Sequence, residues 1–162
     1  MVKNLNKNFV FDLIIFFSIF FIDRFSKLYV IFHYEKLKNP EIYLSKFFNI
    51  YLIWNEGIAF GLFSFEDKFY YNIFTVLIIL IITIILWIIT RSKGLDKFGF
   101  IFILGGATGN VFDRVYYSSV PDFIDIHYNN FHWFIFNVAD IFISLGVLLL
   151  IYSELILKKN YE

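Results

Sequence analysis

The stretch FYYNIFTVLIILIITIILWIIT, from Phe69 to Thr90, has 22 residues and no charged side chain. The hydrocarbon core of a bilayer is about 30 Å thick, and a helix crosses it in about 20 apolar residues. The stretch is therefore predicted to be a transmembrane helix. The whole chain fits this environment, because 59% of its 162 residues are hydrophobic and only 17% are charged. So short a soluble domain could not bury that much apolar surface.

Three further stretches have the length and composition of a membrane span, at about residues 9–32, 98–115 and 133–157. Together with 69–90 they predict an all-α membrane protein with four transmembrane helices and a single domain, residues 1–162. The first stretch follows Lys3 and Lys7, as the apolar part of a signal peptide does. No small-residue cleavage site comes after it, so we expect it to remain as an anchor.

Basic residues predict the orientation of these spans. They precede the first span, separate the second from the third and follow the fourth: Lys3, Lys7, Arg91, Lys93, Lys97, Lys158 and Lys159. With four spans all three groups lie on one side, which the positive-inside rule makes cytoplasmic. Residues 116–132, on the opposite side, contain no Lys or Arg. Both termini are therefore expected in the cytoplasm.

The predicted first outer loop, residues 33–68, is too long to be a simple connection. Within it, Phe47 to Asn55 is short, aromatic and rich in β-branched residues, which is typical of a strand. Gly57 and Gly61 follow as turn positions. This loop is therefore expected to form a small β-rich platform on the extracytoplasmic surface.

Ionisable residues inside a membrane are costly and are functional candidates by default. A helix rises about 1.5 Å per residue, and this spacing places the polar residues of three predicted spans near their outer ends. They are Asp23 and Lys27 in the first span, Asn110, Asp113 and Arg114 in the third, and Asn137 and Asp140 in the fourth. Asp122 and Asp125 fall in the predicted short loop between the third and fourth spans. This convergence predicts one site near the outer face.

Two of these acids, Asp122 and Asp140, are 18 residues apart across a loop and a helix start, so they can meet in space. Paired carboxylates in a partly dry site are a recognised hydrolytic device. Gly105 and Gly109 form a small-xxx-small pair that would let the third helix approach a neighbour closely.

Structural roles are the alternative for the same residues. Asp113 with Arg114, and Asp23 with Lys27, can be ion pairs without a part in chemistry. Lone carboxylates near an interface are often solvated helix ends. These alternatives stay open on spacing alone.

Other residue types limit the function classes. The chain has no cysteine, which excludes thiol catalysis, disulfides and thiolate metal sites. Its net charge is zero, so no nucleic-acid partner is expected. His33, His127 and His132 lack a metal-ligand spacing and are interpreted as interfacial residues. We expect neither a metal nor another cofactor.

A small transporter or proton-conducting protein is the main rival, because buried acids and bases also mark ion pathways. Such proteins often carry internal repeats with broken helices. This sequence has no repeat, and the inner half of its spans offers no polar path. A purely structural membrane protein is a third possibility.

Five motifs, in this order, resemble the bacterial lipoprotein signal peptidase family, also called signal peptidase II. They are Asp23-Arg24-Phe25-Ser26-Lys27, Asn55-Glu56-Gly57-Ile58-Ala59-Phe60, Gly105-Gly106-Ala107-Thr108-Gly109-Asn110-Val111-Phe112-Asp113-Arg114, Val120-Pro121-Asp122-Phe123 and Phe136-Asn137-Val138-Ala139-Asp140. Each motif alone is weak to moderate, but together they cover essentially the whole chain. Pro121 is a less usual neighbour of the aspartate that follows it.

The resemblance implies an aspartic endopeptidase of the bacterial inner membrane. Such an enzyme removes signal peptides from diacylglyceryl-modified prolipoproteins, cutting just before the lipidated cysteine. By the same resemblance the catalytic pair is Asp122 and Asp140. The implied substrate-binding and supporting residues are Asn55, Gly57, Asn110, Asp113, Arg114, Asn137, Asp23 and Lys27. The implied partners are prolipoproteins and membrane lipid, and we expect a monomer.

For Arg114 the sequence predicts a more specific, positioning role. A guanidinium near an interface can grip carboxylate or carbonyl groups with its fork of donors. We expect Arg114 to pin the loop that bears Asp122, or to hold the substrate backbone, without exchanging a proton.

Overall fold

The computed structural model describes residues 2–37, 41–57, 68–129 and 131–157. Its four long helices are α1 (Val2–Leu37), α2 (Lys68–Ile89), α3 (Gly94–Tyr117) and α4 (Val138–Tyr152), the last continued by a π-helical turn over Ser153–Leu157. Each predicted span falls mainly within one of these helices. α3 contacts each of the other three helices and therefore lies at the centre of the bundle.

Four strands form one antiparallel sheet in the order β1 (Glu41–Tyr43), β2 (Phe48–Asn55), β3 (Val120–Tyr128) and β4 (Phe131–His132). β2 confirms the strand that was predicted over 47–55. Gly57 lies in a bend two residues after this strand, whereas Gly61 lies outside the described residues. We call the end of the bundle that carries this sheet the sheet end, and the end at which α1 and α3 begin the far end.

The segment that bears Asp122 and Asp125 is a strand, so the prediction of a loop there was wrong. β3 pairs with β2 along one edge and with β4 along the other. Ser118, in the left-handed conformation with φ 59°, ends α3 and turns the chain into β3 within three residues. The sheet therefore combines the two segments that the sequence treated as separate loops, and it fixes the direction of Asp122.

The fourth helix begins at Val138, five residues later than the predicted start at 133. Phe136 is held in extended backbone, because its N–H donates to the Ile124 carbonyl and its carbonyl accepts from Ile124 N–H. Asn137 then caps the helix. An apolar run such as Trp133 to Phe136 suits a strand or a helix, so composition could not locate this boundary.

Glycines let α3 lie close to its neighbours. A Cβ on Gly109 would lie 2.5 Å from Asp23 Oδ2 on α1, and a Cβ on Gly106 would lie 2.4 Å from the Ala139 carbonyl oxygen on α4. A Cβ on Gly105 would meet Ile19 at 2.8 Å. These contacts agree with the close approach predicted from the Gly105–Gly109 pair. They bring the polar faces of α1, α3 and α4 into direct contact.

The outer surface of the bundle is strongly apolar. Val76 on α2 is 65% exposed and Val115 on α3 is 70% exposed, and many other large apolar side chains are exposed beside them. Contiguous apolar surface of this extent suits contact with lipid. Two segments, Phe69–Ile89 and Val138–Ile156, are long and apolar enough to cross a membrane. Charged residues interrupt α1 and α3, and the count of four spans stays a prediction.

A small apolar cluster joins the sheet to the bundle. Val30 of α1, Leu52 of β2 and Phe123 of β3 are buried against one another. Phe123 directly follows Asp122 in β3, so burial of its ring anchors the strand next to that carboxylate. The sheet is thereby fixed to the helices at the place where the polar residues collect.

Candidate active site

Asp122 is buried at the start of β3, with 3% of its surface exposed. Asn137 Nδ2 donates to its Oδ1 at 2.6 Å, and Asn55 Nδ2 donates to its Oδ2 at 2.8 Å. The two amides come from the residue that caps α4 and from the end of β2. Two separate parts of the chain therefore fix this one carboxylate.

Asp140 lies in the first turn of α4 and is also buried. Asn110 Nδ2 donates to its Oδ1 at 2.9 Å, and the Asn137 backbone N–H donates to its Oδ2 at 3.2 Å. In return the Asn137 side-chain oxygen accepts from the Asp140 N–H at 3.1 Å. This reciprocal pair is a capping box, so the same bonds that begin α4 also orient the carboxylate.

Asn137 contacts both aspartates, through its side-chain amide to Asp122 and through its backbone N–H to Asp140. The two carboxylates therefore lie on either side of a single residue. The structure thus brings together the two acids that spacing suggested could meet. Asp122 lies near the start of β3 and Asp140 lies in the first turn of α4, and Asn137 links these two ends.

The pKa of Asp122 is shifted in the direction that a shared proton requires. Burial, and next the negative charge of Asp140, raise the pKa of Asp122 from 3.8 to about 7, against the lowering effect of the Asn55 and Asn137 hydrogen bonds. Two nearby buried carboxylates cannot both ionise cheaply. This arrangement favours a proton held by the pair near neutral pH.

Below the pair lies a buried network of ion pairs between α1 and α3. Lys27 Nζ contacts Asp23 Oδ2 at 2.8 Å and Asp113 Oδ2 at 2.7 Å, and it donates to Asn110 Oδ1 at 2.8 Å. Asp113 also pairs with Arg24. Two acids and two bases therefore balance one another, and Asn110 links this network to Asp140.

Asp23 ties the network to the fourth helix. Its Oδ1 accepts the Ala139 N–H at 2.9 Å, which is one of the N–H groups that the first turn of a helix leaves free. Asp113 pairs with Lys27 and Arg24, and the Asp113–Arg114 pair considered from the sequence is not among the ion pairs that the described residues make.

Arg114 contacts a different segment from the one expected. Its Nη2 donates to the Gly57 carbonyl at 3.1 Å, and its Nη1 donates to the Asn110 carbonyl at 3.4 Å. Gly57 N–H in turn donates to Asn55 Oδ1 at 2.8 Å. The guanidinium therefore holds the bend after β2, and its charge also acts directly on the nearby carboxylates of Asp122 and Asp140.

All ten predicted site residues lie in this connected group: Asp122, Asp140, Asn55, Gly57, Asn110, Asp113, Arg114, Asn137, Asp23 and Lys27. Sequence reasoning missed Arg24 as a member, although it is the second residue of the first motif. Arg24 is 8% exposed and pairs with Asp113, so its charge helps to neutralise the buried acids. Asp125 does not join the group and pairs with histidines instead.

Comparisons with known proteins agree with one another. Residues 15–156 match the family model of signal peptidase II. A lipoprotein signal peptidase of Pelagibacter ubique is 48% identical over 96% of this chain and 95% of its own length. Its counterpart from Wigglesworthia glossinidia brevipalpis is 42% identical over 88% of this chain and 93% of its own length.

A solved structure supports the fold as well. A bacterial membrane enzyme determined in meso at 2.3 Å resolution superposes with a TM-score of 0.79, at 25% identity, over 93% of this chain and 91% of its own. The transporter and the structural protein, considered as alternatives, are not supported by any of these matches. The chain belongs to the signal peptidase II family.

Proposed function

We propose that this chain is a membrane-embedded aspartic endopeptidase that cleaves signal peptides from prolipoproteins, with Asp122 and Asp140 as its catalytic pair. The observation that carries the assignment is the position of Asn137, which hydrogen-bonds both carboxylates. Relatives named lipoprotein signal peptidases supply the substrate class. The substrate is a prolipoprotein whose cysteine already carries a diacylglyceryl group, and cleavage falls just before that cysteine.

The chemistry needs one proton on the pair. The ionised carboxylate accepts a proton from water while the water oxygen attacks the scissile carbonyl carbon, and the protonated carboxyl donates to the carbonyl oxygen. The resulting diol then collapses: a hydroxyl proton returns to a carboxylate, the other carboxyl protonates the leaving nitrogen, and the C–N bond breaks. The pair ends with one proton, as it began, and its titration belongs to both residues together.

The remaining site residues position this pair. Asn55, Asn110 and Asn137 donate to the carboxylate oxygens and thereby stabilise the charged form. Asp23, Lys27 and Asp113 hold α1 against α3 below the pair. Arg114 and Gly57 fix the bend after β2. These eight residues form the supporting and substrate-binding shell of the site.

The proposed location follows from the same arrangement. The four helices span the bacterial inner membrane as a single domain, with both termini in the cytoplasm and the sheet end at the outer face. The acyl chains of the substrate stay in the bilayer, while water reaches the scissile peptide from outside. The protein acts as a monomer on prolipoprotein and lipid, without a nucleic-acid partner, and the pair requires no metal or other cofactor for this chemistry.

A cleavage assay on a matched substrate pair tests the proposal. One peptide carries a diacylglyceryl group on its cysteine, and the other has the same sequence without the lipid. We expect cleavage only of the lipidated peptide, at the bond before the cysteine, and inhibition by a peptide that places a hydroxyl at the scissile position. Equal cleavage of both peptides, or cleavage at another bond, would contradict the substrate assignment.

A further inference from the structure

Three potential metal ligands lie together on the hairpin formed by β3 and β4, outside the proposed catalytic pair. His127 and His132 are direct cross-strand partners in this hairpin. Asp125 precedes His127 by two residues, so both side chains project from the same face of β3. Neighbouring side chains on one sheet face are close enough to share a ligand. We call Asp125, His127 and His132 the hairpin triad.

The spacing within the hairpin triad suits a transition metal. His132 Nδ1 lies 3.0 Å from both oxygens of Asp125, and His127 Nδ1 lies 3.4 Å from Asp125 Oδ2. One ligand atom from each of the three residues falls within 4.8 Å of the others. In a tetrahedral zinc site with bonds of about 2.0–2.1 Å, ligand atoms lie about 3.3 Å apart. The distances of 3.0 and 3.4 Å from the two Nδ1 atoms to Asp125 Oδ2 are close to this value.

His132 Nδ1 is hydrogen-bonded to Asp125, whereas the ring nitrogen of His127 that faces the same carboxylate is not. His127 Nδ1 is buried and has no hydrogen-bond partner among the residues that the structure describes. Asp125 is 3% exposed, and its Oδ2 lies 3.4 Å from His127 Nδ1 and 3.0 Å from His132 Nδ1. The rings of His127 and His132 lie nearly parallel, with centroids 5.1 Å apart. Two imidazole nitrogens thus face one buried carboxylate.

We propose that the hairpin triad binds one divalent transition-metal ion, of which Zn²⁺ is the best match. Two imidazoles and one carboxylate are ligands that zinc accepts readily, whereas Mg²⁺ and Ca²⁺ prefer oxygen alone. The His132 side chain is 55% exposed, so the ion can enter from solvent and keep water as its fourth ligand. This proposal departs from the interpretation of these histidines as interfacial residues.

The ion would act on the fold rather than on the reaction. The hairpin lies between Asp122 and Asn137 in the chain, and Phe123 N–H and Ile124 N–H already donate to the Phe136 carbonyl. A metal bridging the two strands adds a cross-link beside the turn of this hairpin. Because it binds the folded chain and a preformed site is absent from the unfolded one, it stabilises the protein by mass action.

The test is a Zn²⁺ titration of the full chain in detergent, purified without a polyhistidine tag and treated with chelator. Isothermal titration calorimetry should give one Zn²⁺ per chain, and Co²⁺ should give visible d–d absorption at the same stoichiometry. The melting temperature should rise by about 5–10 °C when free Zn²⁺ exceeds its Kd about a hundredfold.

Three variants decide whether the triad is responsible. His132→Ala, at an exposed position, should fold and lose both the Zn²⁺ titration and the rise in Tm, and His127→Ala should do the same. His33→Ala removes the remaining histidine of the chain and should keep both. Absence of Zn²⁺ binding by the unaltered chain would overturn the proposal. Binding retained by His132→Ala, or lost by His33→Ala, would overturn it equally.

Discussion

The two ends of the helix bundle carry ion pairs of opposite character. At the sheet end, Lys27 lies between Asp23 and Asp113, and all three side chains are fully buried. At the far end, Lys97 pairs with Asp12, and these side chains are 27% and 16% exposed. Both sets join α1 to α3. The difference is that only the sheet end places its charges where water cannot compensate for a missing partner.

The far end contains a cavity, whereas the sheet end is closely packed. A mainly apolar cavity of about 830 Å³ opens between α1, α2 and α3 there, lined by residues that include Phe9, Leu13 and Leu86. At the sheet end, glycines bring α3 against α1 and α4, and polar side chains fill the contact. Close packing and charge balance are therefore concentrated around Asp122 and Asp140. Similar ion pairs can therefore differ greatly in how much stability is lost when one partner is removed.

The largest expected effect concerns the carboxylates themselves. Asp122→Asn and Asp140→Asn keep the shape of the side chain but cannot accept or share the proton, so cleavage should fall by several orders of magnitude while the chain stays folded. Asp12→Asn at the far end is the matched control and should keep cleavage near that of the unaltered chain. Initial rates on a lipidated peptide measure this. Substantial turnover by either sheet-end variant would remove that residue from the pair.

The second prediction compares the two lysines. Lys27→Met leaves two buried carboxylates without their shared cation and should lower the free energy of unfolding by about 3–5 kcal/mol. Lys97→Met, in a partly exposed pair, should lower it by about 0–1 kcal/mol. Thermal unfolding of both variants in detergent gives the comparison. Adding Asp23→Asn to Lys27→Met should restore part of the loss, because it removes one uncompensated charge. Equal losses for the two lysines would refute the contrast.

Much of this site could be predicted from the sequence because more than half of its members sit inside apolar helices. Charged residues such as Asp23 and Asp140 stand out against apolar neighbours, and helical rise places them at one level. The position of Asp122 was predicted, but its strand was not. β3 exists because it pairs with β2, more than 60 residues earlier, as in the contact of Asp122 with Ile53. Cross-strand pairing at such a separation leaves no local signal.

Two other features depended on how β3 pairs with the residues that follow it. The start of α4 is set by the bonds of Phe136 to Ile124, which an apolar run does not reveal. The hairpin triad depends on the pairing of His127 with His132, and its members do not have the spacing of a helical metal motif. Strand register is what brings these residues together, and the sequence had suggested a loop there.

The third prediction concerns Arg114, which acts on the sheet end from outside the ion network. Arg114→Ala leaves the carbonyl of Gly57 without this partner and should lower the free energy of unfolding by about 1–3 kcal/mol. Cleavage should fall with it, because the bend after β2 orients Asn55. Arg114→Lys should restore stability more than cleavage, since a point charge cannot reproduce the two directed N–H groups. Melting temperature and kcat/KM of both variants decide this. Values equal to those of the unaltered chain would mean that Arg114 has no positioning role.

The last prediction is a pH dependence that arises at the sheet end. The pKa of Asp122 is raised from 3.8 to about 7, so between these values the folded chain binds a proton that the unfolded chain has lost. Stability therefore falls as pH rises through this window, because the slope of the unfolding free energy follows the protons bound by the unfolded minus the folded state. Asp122→Asn cannot titrate and should lack this part of the slope, which melting curves from pH 4 to pH 8 would reveal.

The pH dependence of cleavage should reflect the same proton on the aspartate pair. Above about pH 7 the pair loses the proton that must reach the carbonyl oxygen, so kcat/KM should decline by up to about tenfold per pH unit. Asp12→Asn at the far end should show the same profile as the unaltered chain, because its ion pair lies outside the site. A profile that stays flat to pH 9, or an Asp122→Asn melting curve with the same pH slope as the unaltered chain, would contradict a proton shared at Asp122. Burial is the largest cause of this raised pKa, so the pH effect and the loss expected for Lys27→Met share one main physical origin: the exclusion of water from the sheet end.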